Sequence, residues 1–306
     1  MTPDPTPATT EVASTRFTPC LNPATLSGVP LPQFLALAAA AGFEAVELSI
    51  QQAQDLGAEK VLGLLNEHGL SVAAASGILP AGPVLPAPLL VDDDAYAACL
   101  DGLDGRLETF AVLGCPIATT VLNPRSALDQ PEALKTARER IVQLADASTE
   151  YGVRLAVEAV SVASGLPPEL DGPRPVADTL PQLAELLHQA AHPGAAVLVD
   201  SFHWAAAGAD AGHITALAMG AIGHVQIADI PMTGTPHEWM DALRLFPGDG
   251  ALPWPALAQA LTTAGYTGTV SVELFNPMLR ALPADEIARR SYHAATSCWT
   301  PAEAPR

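Results

Sequence analysis

Eight times along this chain a short apolar run of strand character gives way to a loop and then to a longer stretch rich in alanine and leucine. The strand-like runs are RFTPCL (16–21), FEAVELS (43–49), LSVAAAS (70–76), CPIATTV (115–121), VRLAVEAV (153–160), AAVLVDSF (195–202), the run holding HVQIAD (224–229), and GTVSVELF (268–275). Between them lie helical patterns, the clearest being the amphipathic PEALKTARERIVQLADASTEYG (131–152). Strands separated by helices run parallel, because each helix carries the chain back to the start of the next strand. Eight such units predict an α/β fold, a closed (β/α)8 TIM barrel. The competing arrangement is a doubly wound open sheet, but no strand is followed by a nucleotide-binding glycine fingerprint or a GxxxxGK loop.

Residues 15–300 are expected to form this single barrel, and residues 1–14 (MTPDPTPATTEVAS) a disordered tail. At 306 residues and 49% hydrophobic, the chain can fill one large core. Its 14 Lys plus Arg against 33 Asp plus Glu give a net charge of -19, and its lysines are Lys60 and Lys135. Such a surface repels nucleic acid and anionic membranes, so neither is an expected partner. The cysteines Cys20, Cys99, Cys115 and Cys298 are scattered, without a CxxC pair, and read as free thiols. The opening residues lack the basic start and apolar run of a signal peptide, and no apolar run is long enough to span a bilayer. A cytoplasmic protein is the expectation.

A barrel of this kind works at the carboxyl ends of its strands. Alternation of side chains then says which of those ends face inward. In VRLAVEAV, Val153, Leu155 and Val157 turn to the helices, so Glu158 points into the barrel. Asp200 shares the inward face of the sixth strand with Leu198, and Glu273 shares that of the eighth with Ser271. On the seventh strand the inward pair is His224 and Gln226, with Asp229 on the opposite face. Each residue has an ordinary role when taken alone: Asp200 as a helix N-cap, Gln226 as a hydrogen-bonding amide, the glutamates as solvated strand ends. Three converging carboxylates with few cations nearby, however, call for a divalent metal ion. Oxygen donors favour Mn2+ or Mg2+ over a structural zinc.

Further candidates surround this cluster. His203 follows Asp200 by one turn of loop and is placed to bind a substrate oxygen or orient a ligand. Glu47 points inward if Val46 and Leu48 face the helices, and can contact substrate or hold a ligand by a hydrogen bond. Trp204 offers an aromatic floor for a sugar, or alternatively a cover for the barrel rim. His237 lies in the loop after the seventh strand, where a lid could form.

The motifs FEAVELS, LAVEAV, LVDSFHW, GHVQIADIP, PGDG followed by LPW, and VSVELF together resemble the sugar isomerase/epimerase superfamily with its xylose isomerase-like TIM barrel. This group includes ketose 3-epimerases, hydroxypyruvate isomerase and inosose dehydratase. The resemblance implies that Glu158, Asp200, Gln226 and Glu273 bind the metal, with His203 beside them. HVQ, where epimerases commonly carry HVH, is similar to the hydroxypyruvate isomerase-like branch, and makes Gln226 rather than His224 the ligand. It further implies a small polyhydroxy carbonyl substrate, an enediolate intermediate, Glu158 and Glu273 as paired base and acid, and a homodimer. Loss of a β-hydroxyl from an inosose or polyol ketone is the alternative reaction, and a non-catalytic sugar- or metal-binding barrel the alternative class. One departure stands out. Such isomerases carry an arginine close behind the seventh-strand motif, whereas here IPMTGTP follows and the next arginine is Arg244.

Overall fold

The protein is described by a computed structural model, in which residues 17–80, 89–161, 166 and 170–299 are described. The expected tail at 1–14 lies outside them. Eight strands form the barrel: β1 Thr18–Leu21, β2 Ala45–Ser49, β3 Ser71–Ser76, β4 Ile117–Leu122, β5 Arg154–Ala159, β6 Ala195–Asp200, β7 Ile222–Ile227 and β8 Thr269–Val272. All neighbours pair in parallel, and β8 closes on β1. The open-sheet alternative is thereby excluded. Each expected strand is present, trimmed by a few residues. The largest difference is in AAVLVDSF, where the strand stops at Asp200 and Ser201–Ala206 turn into a short helix.

The helices carry the sequence signals that start and stop them. Asp129 accepts the Glu132 amide at 3.0 Å and opens Gln130–Glu150. That helix buries Ala133, Ala137, Ile141 and Leu144, a stripe at helical spacing. Helix Leu31–Ala41 ends at Gly42, whose φ of 105° lets its N–H reach back to Ala38 and Ala39. The main core lies between strands and helices. Inside the barrel, Ala74, Ile117, Ala156 and Leu198 form a small apolar plug. Above the plug the interior turns polar. No helix among the described residues is long and apolar enough to cross a membrane.

Two register shifts decide how that polar layer is aimed. Val197 pairs with Ile222 but Leu198 pairs with His224, so Gly223 is an extra residue on β7. The bulge turns Ile222 outward to the helices while keeping His224 and Gln226 inward, and sets Gln226 beside Asp200. Gly223 fits because an added Cβ would stand 2.7 Å from the Ala196 Cβ. A second shift between Val46 and Glu47 adjusts β2 against β3. Bulges of this kind re-aim side chains at barrel rims.

Candidate metal and substrate site

Glu158, Asp200, Gln226 and Glu273 end neighbouring strands β5 to β8 at one mouth of the barrel, as their inward parity requires. Ligand-capable atoms of Glu158, Asp200 and His203 lie within 4.8 Å of one another, forming a cluster able to hold a metal ion. Glu47, Glu158, Gln226 and Glu273 line a cavity of about 630 Å3, together with His203 and Arg244. That volume is typical of a small-molecule site.

Asp200 does two things at once. Its Oδ1 caps the helix Ser201–Ala206, accepting the amides of Phe202 at 2.7 Å and His203 at 3.0 Å. Its Oδ2 faces the cavity. The N-cap and the site readings of this residue are therefore both correct, one per oxygen. The helix also corrects the expectation that His203 sits in a loop: it is buried in the first turn. Its Nδ1 accepts the Ser161 amide at 3.3 Å, so Nε2 carries the ring proton. Nε2 stands 3.5 Å from Glu158 Oε1 and 3.7 Å from Asp241 Oδ1. Burial lowers the imidazole pKa, against the pull of Asp241 and Asp200, and favours the neutral ring.

The arginine that the loop after β7 was expected to lack is Arg244. Fully buried, it donates from Nη1 to Asp200 Oδ2 at 2.6 Å, with Glu273 Oε2 at 3.3 Å from the same nitrogen. Its Nε and Nη2 donate to Asp241 Oδ1 at 2.9 and 2.7 Å. The guanidinium lies between the rings of Phe202 and Phe275, 5.0 and 5.1 Å from their centres. Burial opposes the charge on Arg244, but Asp200, Asp241 and Glu273 outweigh it and raise its pKa well above the ordinary value.

Asp229 explains how a residue so far along the loop arrives there. Parity turned it away from the cavity, and it is indeed absent from the cavity lining. Its buried carboxylate instead accepts from Ile230 and Leu252 amides through Oδ1, and from the Gly248 amide and Trp254 Nε1 through Oδ2, all at 2.8–2.9 Å. Its backbone pairs with Leu245 in both directions, at 2.8 and 3.0 Å. The loop is thus tied back onto β7 at the residue after Arg244. The PGDG turn belongs to this knot: a Cβ on Gly250 would fall 2.0 Å from the Ile230 carbonyl.

On the opposite side, Glu47 accepts from His224 Nε2 at 2.9 Å, and from Gln226 Nε2 at 3.2 and 3.3 Å through its two oxygens. Burial raises the Glu47 pKa, but His224 and the hydrogen bonds of its neighbours overcome this and lower it. Gln226 Nε2 also reaches Glu273 Oε1 at 3.2 Å, which Asn22 Nδ2 holds at 2.9 Å. Asn22, Asp241 and Arg244 are site residues that strand parity did not find. Asn22 directly follows β1, where the strand-end rule applies; the other two had no local signal. Trp204 does not line the cavity. It packs in the core with its Nε1 on the Asp210 carbonyl, so the sugar-floor expectation is replaced by the structural one. The expectation for the His237 side chain lies outside the described residues.

The donor set fits a divalent cation on two grounds. Gln226 Oε1 is buried with no hydrogen-bond partner among the described residues. Burial first, then the neighbouring carboxylate charges, raise the pKa of Glu158 and Glu273 well above the ordinary range, even with Arg244 nearby. The site therefore has an orphaned oxygen and too little positive charge.

A parallel barrel with a metal-capable carboxylate cluster at the carboxyl ends of its strands defines a class of small-molecule site. Residues 35–297 match the model of the xylose isomerase-like TIM barrel family, and the chain belongs to that family. It is 27% identical to a 3-dehydroshikimate dehydratase of Pseudomonas putida over 60% of this chain, but spans only 27% of that protein. It is 28% identical to an inosose isomerase of Bacillus velezensis, covering 64% of this chain and 66% of the relative. In fold it resembles the crystal structure of the IOLI protein with a bound zinc atom, with a TM-score of 0.80 and 22% identity over 92% of this chain and 98% of the other.

Proposed function

We propose that this chain is a divalent-metal-dependent isomerase or epimerase of a small ketose or hydroxyketone, working through an enediolate. The observation that carries the reading is the pair of buried, proton-hungry carboxyls, Glu158 on β5 and Glu273 on β8, flanking one cavity beside the unpartnered Gln226 oxygen. Glu158, Asp200, Gln226 and Glu273 would hold the ion, and their oxygen donors favour Mn2+ or Mg2+. The zinc of the IOLI structure belongs to that protein. When bound, the ion would polarise the substrate carbonyl and make the neighbouring C–H more acidic.

The chain's own residues supply the proton traffic. One of Glu158 and Glu273 removes the α-proton; the other returns a proton, at the neighbouring carbon for isomerisation or on the opposite face for epimerisation. His203 uses its Nε2–H to hold a substrate oxygen on the Glu158 side. That role keeps Nδ1 on the Ser161 amide, whereas ligation through Nε2 would require the ring to lose this bond. Arg244 adds fixed positive charge beside Asp200 and Glu273, where an oxyanion develops. A dehydratase is the second reading, favoured by the similarity to 3-dehydroshikimate dehydratase. It shares the first proton abstraction and differs in expelling a β-hydroxyl.

Residues 15–300 act as one catalytic barrel in this reading, and the resemblance supports a homodimer. All four cysteines are free, which supports a reducing, cytoplasmic compartment. The test is a panel of ketoses, hydroxypyruvate and inososes with Mn2+, followed by solvent deuterium entering the α-carbon and by product. Glu158→Gln and Glu273→Gln are each expected to lose at least about 10²-fold in turnover while keeping their fold. Wild-type turnover in either variant refutes the acid–base assignment. Substrate binding without deuterium exchange supports the non-catalytic alternative.

A further inference from the structure

We infer that Glu47 is a positioning residue that makes Gln226 an oxygen ligand rather than a nitrogen-faced amide. The inference rests on the reading that Gln226 ligates the ion. A glutamine side chain has two chemically opposite ends, a carbonyl that attracts a cation and an NH2 that repels one. Nothing in its shape prefers one orientation, so the surroundings must choose.

Here both oxygens of Glu47 accept from Gln226 Nε2, at 3.2 and 3.3 Å, and Glu273 Oε1 accepts from the same nitrogen at 3.2 Å. A flipped amide would set its carbonyl oxygen against these carboxylate oxygens and forfeit all three contacts. Glu47 is itself fixed from the other side, by His224 Nε2 at 2.9 Å. The consequence is visible at the other end of the amide: Gln226 Oε1 is buried and unpartnered. A buried orphan carbonyl is costly and signals a missing partner. This arrangement gives His224 a purpose as well: it anchors the acceptor that orients its strand neighbour. The chain Gln226, Glu47, His224 runs through the barrel interior, so the ligand is oriented by rigid strands and not by a loop.

A double-mutant cycle tests this, with Mn2+ affinity measured by calorimetry on the full chain and no substrate present. Glu47→Gln is expected to weaken Mn2+ binding by about 10-fold or more, the usual effect of losing a partner that orients a ligand. In a Gln226→Ala background the same substitution should change affinity by less than about 2-fold, because no amide remains to orient. Equal losses in both backgrounds, or no loss in the wild-type background, overturn the inference. Unchanged Mn2+ affinity in Gln226→Ala alone overturns the ligand reading and this inference with it. If Glu47→Gln does not fold, the wild-type protein still answers. Its Gln226 side-chain NH2, assigned in 15N NMR by difference from Gln226→Ala, should be protected from hydrogen exchange and stay so with Mg2+ bound. Rapid exchange of that NH2 in the Mg2+-bound protein overturns the inference.

Discussion

Replacing Arg244 by methionine removes the one guanidinium that reaches into the carboxylate cluster, with little change in side-chain volume. In the metal-free protein it leaves Asp200 Oδ2 without its 2.6 Å partner and Asp241 without two hydrogen bonds of 2.9 and 2.7 Å. The Arg244 side chain is 1% exposed and that of Asp200 0%, so water cannot replace the lost contacts. Breaking such a buried pair from one side costs about 3–5 kcal/mol. The cost is bounded above by protonation of the abandoned carboxyls, which sets its pH dependence. Burial alone would raise the Asp241 pKa; Arg244, with His203, overcomes this and lowers it. A depressed carboxyl pKa contributes stability above the unfolded-state value, near 4, and loses it as pH falls through the folded value. The difference between wild type and Arg244→Met should therefore be full at pH 7.5 and shrink toward pH 4. Urea unfolding at several pH values with chelator present measures it. A difference below about 1 kcal/mol at pH 7.5, or one that does not shrink in acid, refutes the view that Arg244 is held by ionised carboxylates.

The same geometry yields further expectations. Asp229→Asn puts an NH2 where Gly248 N–H and Trp254 Nε1–H now find an acceptor, or the amide flips and fails Ile230 and Leu252 instead. Unfolding in urea should show a loss of about 2–4 kcal/mol, and kcat/KM should fall because the Arg244 loop loosens; unchanged stability counts against the knot. Gly223→Ala forces a Cβ to within 2.7 Å of Ala196 and 3.3 Å of Ala156, so the bulge must shift. A destabilisation of about 1–3 kcal/mol with weaker Mn2+ binding is expected, and wild-type affinity would show that the bulge does not place Gln226. Because Glu158 and Glu273 hold protons well above the usual carboxylate range, Mn2+ binding should release protons and tighten as pH rises. Calorimetry in two buffers of different ionisation enthalpy reads the number released; zero near neutral pH contradicts the raised proton affinity.

The strand order and most of the inward-facing set were legible in the chain itself. Period-two alternation is a local rule, so Glu47, Glu158, Asp200, Gln226 and Glu273 could each be assigned a face from a few neighbouring residues. Barrel closure then brings the ends of β5 to β8 together whatever the details of the loops. Even the ambiguity at His224 and Gln226 had a physical root. Both face inward, and only the contacts across the barrel separate them, with His224 on Glu47 and Gln226 bridging Glu47 to Glu273.

Loop residues obey no such local rule. Where Arg244 ends depends on Asp229 gathering four hydrogen bonds across the loop, and on Phe202 and Phe275 flanking the guanidinium. Those contacts join residues far apart in the chain, and sequence spacing from the β7 motif gave no hint of them. Trp204 was misjudged for the same reason: its neighbourhood is set by a helix turn and the Asp210 carbonyl, and not by strand parity. The sequence by itself determined a parallel (β/α)8 barrel and the carboxylates at its mouth, because alternation and strand–helix repetition are properties of neighbouring residues. Only the tertiary structure decided which cation stands among those carboxylates, and which end of Gln226 faces the cavity, because both follow from packing between distant segments.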